Sequence, residues 1–245
     1  DWDCTLEGPP DKPGIRLGLR MIAGLKEADA RRVVTARALH HFDDVADLQR
    51  RAELSDSDIT ALAAADTLAT LTGNRREALW EALGLERDTK LFLAPADPDE
   101  ATLLPPTEVE DIFADFRTTG LTLRRHPMAL LRPDLKKIRI SSADDVRNAR
   151  HGQLVRASGL VTCRQRPATA KGTTFVTLED ETGYVNVVVW SHVAERQRKE
   201  LVFSKMLCVA GRVERQGEVV HLIAGRLIDQ TDMLSELDFS SRDFH

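Results

Sequence analysis

Arg164 and Arg166 stand two residues apart in the stretch Val161-Thr162-Cys163-Arg164-Gln165-Arg166. In an extended strand that spacing places Thr162, Arg164 and Arg166 on one face and Val161 and Cys163 on the other. Lys171 and Gly172 follow in a loop, and Phe175, Tyr184 and Trp190 recur over the next two apolar runs. Cations beside exposed aromatic rings are what a single-stranded nucleic acid requires, since cations meet phosphates and each stacked base contributes about 1 to 3 kcal/mol. The same rings could instead plug a barrel or pack on a helix, and strand parity alone leaves that choice open. Arg215, beside the Gln216-Gly217-Glu218 turn, joins the expected DNA contacts.

Catalytic patterns are missing. No phosphate-binding GxxxxGK[ST] or GxGxxG loop occurs, nor HExxH or GxSxG. The three cysteines, Cys4, Cys163 and Cys208, are too far apart and too few for a disulfide framework or a thiolate metal site. His40 and His41 are adjacent, which suits neither face of a helix. Asp144-Asp145 reads as the first turn of a helix, where carboxylates favour the macrodipole, and Glu179-Asp180-Glu181 as part of a hairpin.

A second binding candidate lies near the start. Ile22-Ala23-Gly24-Leu25-Lys26 joins two short helices by a tight glycine turn, and a helix starting there would aim free backbone N–H groups at a phosphate. Gly24, Lys26 and the later pair Arg75 and Arg76 are therefore candidate DNA contacts, although such turns also serve packing alone.

Whole-chain charge argues the other way. The chain has 245 residues, 34 Lys or Arg against 39 Asp or Glu, and a net charge of −5. Resolved along the chain, residues 117–171 hold thirteen basic and three acidic side chains, a local excess of ten, which leaves fifteen net negative charges elsewhere. Fields act over roughly 8 to 10 Å in physiological salt, so a local excess can bind a polyanion despite an acidic average.

These residues need elements to hold them. Residues 1–14, broken by Pro9, Pro10 and Pro13, read as an extended lead-in. Apolar residues at helical spacing over 15–86 predict an all-α tandem helix-hairpin-helix domain, with Ser57 as a helix N-cap and Gly73-Asn74 before its last helix. Residues 87–106 are an acidic, proline-rich linker, and 107–150 a short basic helical segment in which Pro127 and Pro133 keep the pieces short. Over 151–230 the period changes to two, giving five strands with a helical insert between the third and fourth. That order is the one of the OB-fold, a small barrel that binds oligonucleotides or oligosaccharides. Residues 231–245 form a tail, and the fold class is α+β, multidomain. No apolar run approaches the roughly 20 residues that span a bilayer, so a cytoplasmic protein is expected.

In this order the segments resemble the C-terminal portion of bacterial C-family DNA polymerases. The resemblance rests on Ile15-Arg16-Leu17-Gly18-Leu19-Arg20 with Ile22 to Leu25, on Gly73-Asn74-Arg75-Arg76, on Gly120-Leu121 through His126-Pro127, and on Thr177-Leu178-Glu179-Asp180 with Gly183. The opening Asp1-Trp2-Asp3-Cys4-Thr5-Leu6-Glu7 and the ending Ser241-Arg242-Asp243-Phe244-His245 are similar to the error-prone, damage-inducible branch. The resemblance implies that the catalytic aspartates lie upstream, so the chain is expected to be a fragment with no catalytic residue and no cofactor of its own, Mg²⁺ serving the intact enzyme. Its job would be to position template or primer DNA for translesion synthesis.

The resemblance also implies partners: an inactive Y-family-like polymerase subunit and a recombinase-like accessory protein. Replicative relatives carry a Gln-x-x-Leu-Phe clamp motif where this chain has Asp88-Thr89-Lys90-Leu91-Phe92, so the sliding clamp is expected to be reached only indirectly. Leu91, Phe92, Leu234, Leu237, Phe239 and Phe244 are the candidate docking residues. A mainly protein-docking module is the rival reading, and an RNA-binding OB module a third.

Overall fold

The computed structural model describes residues 1–85, 103–170 and 172–234, which form two compact units, 1–123 and 124–245. Among the described residues no helix is long and apolar enough to cross a membrane.

In the first unit, β1 (Thr5–Glu7) and β2 (Gly14–Arg16) pair antiparallel, so the lead-in expected to be merely extended contains a small hairpin. The chain then passes so close to itself that a Cβ on Gly18 would lie 2.2 Å from the Trp2 carbonyl oxygen; only glycine fits there. Gly24, at φ +87°, turns the chain into α1 (Glu27–Leu39). There follow α2 (Val45–Arg51), α3 (Asp56–Ala64), α4 (Ala69–Thr72), α5 (Arg75–Leu85) and α6 (Glu108–Thr118).

The N-cap of α3 is Ser55 rather than Ser57. Ser55 accepts from the Asp58 N–H while Asp58 reaches back to the Ser55 N–H, a reciprocal pair that Ser57 has no carboxylate three residues on to make. Thr107 and Glu110 make the same box for α6. Ile22, Leu25, Val33, Leu48, Ile59 and Leu62 fill the core, and the fully buried Ala30, Ala63, Ala78 and Ala82 let the helices pack closely.

The second unit opens with α7 (Pro127–Lys137) and α8 (Ala143–Asn148). Thus the basic segment 107–150 is divided, α6 going with the first unit and α7 and α8 with the second. Pro133 does not end a piece: α7 runs through it, giving up only the one N–H that Pro lacks.

Five strands then close a barrel: β3 (Leu154–Gln165), β4 (Thr174–Asp180), β5 (Gly183–Val189), β6 (Met206–Gln216) and β7 (Val219–Asp229), in the spatial order β3-β4-β5-β7-β6. All neighbours are antiparallel except β5 and β7. Between β5 and β6 lie α9 (Ser191–Arg196) and α10 (Arg198–Phe203).

Ala157, Val176, Leu178, Val187, Val209, Leu222 and Leu227 fill the barrel. A second cluster forms outside it, where Met128, Leu131 and Leu135 of α7 cover Met206 and Cys208. Arg132, buried, holds α7 to the β4–β5 hairpin through Asp180 at 2.8 Å and Glu181 at 2.5 Å, and Asp180 also accepts the Ala143 N–H at the start of α8.

Candidate nucleic-acid interface

The outward face of the barrel follows from its register. Gln165 pairs with Phe175, Phe175 with Val188, Val188 with Ile223, Ile223 with Arg212 and Arg212 with Leu154, so one row crosses all five strands. Phe175 is 40% exposed in that row. Tyr184 is exposed too but faces Glu179, two rows further along β4 and β5, with Thr177 and Asn186 between them. Trp190 continues the outward alternation of Tyr184, Asn186 and Val188 and is 47% exposed; it neither plugs the barrel nor packs fully on the helices.

The expected parity of the first barrel strand fails at one residue. Val161 pairs with Leu178 and Cys163 with Thr177, leaving Thr162 as a bulge. Beyond it the faces exchange: Cys163 turns outward, and Arg164 sits opposite the buried Val176, under α10. Its Nε donates to the Leu201 carbonyl at 2.6 Å and its Nη2 to the Ser204 carbonyl, so Arg164 closes the C-terminal end of α10 instead of awaiting a phosphate. Burial there pushes its guanidinium pKa down from the ordinary value. Arg164 and Arg166 are both exposed and line one 310 Å³ cavity with Arg198, Glu195 and Thr174. Lys171 lies outside the described residues.

Other expected contacts are also committed to the fold. Arg215 donates to the carbonyls of Arg147 and Ala149 at the end of α8. Arg75 is 5% exposed and bonds the Asp111 carboxylate at 2.6 Å and that of Asp115, joining α5 to α6; nothing can reach it from solvent. Arg76 bonds Glu110 and the Leu104 carbonyl. At the helical hairpin, the Ala23 N–H already donates to the Thr118 carbonyl at 2.7 Å, and the first turn of α1 carries Glu27 and Asp29, which repel a phosphate. Gly24 makes the turn, and Lys26 is the exposed N-cap residue beside it. Of the docking residues, Leu234 is half-buried against the cluster under α7, while Leu91, Phe92, Leu237, Phe239 and Phe244 lie outside the described residues.

Sequence reasoning missed a groove of about 760 Å³ on the outer side of β3, β6 and β7. Its floor is made of small residues, Ala210, Gly211, Ala224 and Gly225, and Gly211 is required because a Cβ would lie 2.2 Å from the Ile223 carbonyl oxygen. Arg139, Arg156, Arg212, Arg226, His192 and Trp190 stand around that floor, and no carboxylate lines it. None of those four arginines takes part in an ion pair among the described residues, although the Arg156 Nη2 donates to the Ile138 carbonyl. Two signals pointed to it: Arg212 and Arg226 on successive strands, and Ala210-Gly211 opposite Ala224-Gly225. Both were obscured by a second bulge, where β6 and β7 shift register between Ala210 and Gly211.

Among the described residues no three His, Cys, Asp or Glu side chains converge as a metal site requires. What the barrel offers is exposed cations, exposed rings and polar edges.

Comparison with known proteins agrees. A model of the helix-hairpin-helix motif matches residues 1–78, and one described as an OB-fold nucleic acid binding domain matches residues 155–229. The expected order of an all-α hairpin domain and a five-stranded OB-fold barrel is thereby met. Over its full length the chain is 51% identical to error-prone DNA polymerases of Pseudomonas fluorescens (strain Pf0-1) and Burkholderia pseudomallei (strain K96243). It is 48% identical to that of Xanthomonas oryzae pv. oryzae (strain KACC10331 / KXO85). Each match covers 100% of this chain and 24% of the relative, so the chain spans about a quarter of the length of these polymerases and is related from end to end to one segment of them.

Proposed function

We propose that this chain is the DNA-holding region of an error-prone DNA polymerase, gripping single-stranded template or the single-stranded part of a primer–template while nucleotidyl transfer, with Mg²⁺, occurs elsewhere in a longer polypeptide. The observation that carries the reading is the outward row of the barrel, where Phe175 lies exposed between Gln165 and Val188 within a module matched as nucleic-acid binding. An exposed ring flanked by polar and apolar neighbours can stack on any base without reading sequence, which suits an enzyme that must accept damaged template.

The role extends to translesion synthesis and damage-induced mutagenesis in the cytoplasm, with an inactive Y-family-like subunit and a recombinase-like protein as partners and the sliding clamp engaged through them. A docking role for the helical unit is favoured by Trp80, 61% exposed, and Leu83, 48% exposed, one turn apart on α5.

Fluorescence anisotropy tests the DNA reading. Labelled single-stranded DNA and primer–template should bind the full chain, more tightly than blunt duplex, and F175A/Y184A should weaken the single strand by at least tenfold. Equal affinity of wild type and variant for the single strand would discard the barrel-face assignment.

A further inference from the structure

The groove with the glycine and alanine floor is a separate surface from the Phe175 face, and its chemistry is more specific. We infer that it is a second single-strand site, in which Arg212 and Arg226 take successive phosphates beside Arg156, whose Nη2 is held by the Ile138 carbonyl, and Trp190 stacks on a base. The inference extends the reading that the barrel holds single-stranded nucleic acid, but its test is independent of Phe175.

Four features support it. The groove presents four guanidinium groups and no carboxylate, so it repels cations and attracts polyanions. Arg156 and Arg226 flank Ala210 in one cross-strand row, two strand spacings apart, which is about 10 Å. A compact free anion needs donors that converge, whereas cations spaced along a row suit phosphates repeated along a chain. Arg212 stands in the next row, between Leu154 and Ile223. The small floor residues leave room for a backbone to lie against the sheet, and Trp190, half exposed at the end of β5, offers a ring face at the rim.

The register joins this site to the first. From Arg212 the same row runs through the half-buried Ile223 and the buried Val188 to Phe175, so the exposed ring lies three strand spacings, about 15 Å, from Arg212. A single strand that spans this distance would have its phosphates held mainly in the groove and its bases stacked at Trp190 and Phe175.

The chain has three tryptophans, so W2F/W80F leaves Trp190 as the sole reporter. This full-length variant is titrated with oligothymidylate of about 16 nucleotides, a length matching the upper range of single-barrel sites, while anisotropy follows total binding. The oligonucleotide should quench Trp190 emission. R212A/R226A should weaken binding at least tenfold and flatten the log K against log salt slope by about 1.4, roughly 0.7 for each phosphate that no longer meets a cation. F175A/Y184A should weaken binding yet leave the quenching at saturation intact.

Binding by anisotropy without quenching, or an R212A/R226A chain of wild-type affinity and salt slope, overturns the groove site and leaves the Phe175 face standing. No anisotropy change with any oligonucleotide overturns both. Thymidine triphosphate quenching as tightly as the oligonucleotide assigns the groove to free nucleotides and overturns the strand site, as does equal quenching by polyglutamate, which would make it a surface for acidic protein. Circular dichroism melts of the variants establish that they remain folded.

Discussion

In the helical unit Arg75, Arg32 and Arg51 direct their guanidinium groups into the fold, onto Asp111, Asp115 and Asp47 and onto the carbonyls of Ala52, Glu53, Ala36 and His40. In the barrel unit Arg139, Arg212 and Arg226 instead surround an open groove that no carboxylate lines, with Arg156 among them anchored to the Ile138 carbonyl. The two sets are chemically identical side chains, and their partners separate structural from ligand-binding roles. A guanidinium removed from water must be compensated by carboxylates or carbonyls, and once compensated it has little field left for a phosphate. The acidic helical unit is therefore expected to be the weaker DNA surface, even where its arginines resemble family contacts.

The largest expected effect breaks the helical side of this contrast. R75A removes the cation that Asp111 and Asp115 share in a buried junction, and breaking such a buried pair costs about 3 to 5 kcal/mol. The helical unit should melt many degrees lower in calorimetry. Below that transition the chain should bind single-stranded DNA as wild type does; a loss of DNA affinity with unchanged melting would return Arg75 to the binding surface.

Two arginines in one strand sharpen the comparison within the barrel. R164M removes two bonds from an exposed guanidinium to the end of α10, worth about 0.5 to 1.5 kcal/mol each, and should show chiefly as lost stability. R166M, two residues away, should stay within about 0.5 kcal/mol of wild-type stability. It should flatten the salt slope of DNA binding by about 0.7 if it meets one phosphate. Interchanged phenotypes would mean that the bulge at Thr162 does not redirect the strand. Next in size, F175A should cost about 1 to 3 kcal/mol of single-strand affinity through lost stacking, with melting little changed because the ring is 40% exposed.

How much was legible beforehand depends on the range of the interaction. The five strands, the Asp180–Gly183 hairpin and the Thr107 helix start are written in local periodicity and turn chemistry, and the structure has them. The redirection of Arg164 hangs on one unpaired residue, Thr162, which leaves the alternation Val161-Thr162-Cys163-Arg164 unmarked. Arg75 finds its carboxylates 36 and 40 residues away, across a segment whose own composition says nothing of the pairing. The groove gathers Arg139, Arg156, Trp190, Arg212 and Arg226 from a loop, three strands and a strand end, so only the closed barrel brings them together. The basic count over 117–171 located the right unit but mixed cations of both kinds, since Arg132 and Arg164 were among those counted.

The smallest effect separates the two units by acid. His126 caps α7, its Nδ1 accepting the Met128 N–H at 3.1 Å, and that nitrogen can accept only when it carries no proton. Burial lowers the His126 pKa below the ordinary 6.5, and the opposing pull of Glu179, Glu181 and Asp180 does not reverse it. The unfolded chain therefore takes up the proton first as pH falls, so stability increases with pH across this window. The neutral cap contributes fully above about pH 6.5, and its contribution declines on acidification until the folded-state pKa is reached. Its size is that of a helix cap, about 1 kcal/mol. Melting of the barrel unit followed from pH 7.5 to 5.5 should fall by a few degrees. H126N, whose side-chain oxygen caps without titrating, should remove that portion of the decline while keeping the pH 7.5 melting point. An H126N chain with the wild-type acid response would place the sensitive group elsewhere, and the buried pair of Arg132 with Asp180 would then be the next junction of α7 and the barrel to test.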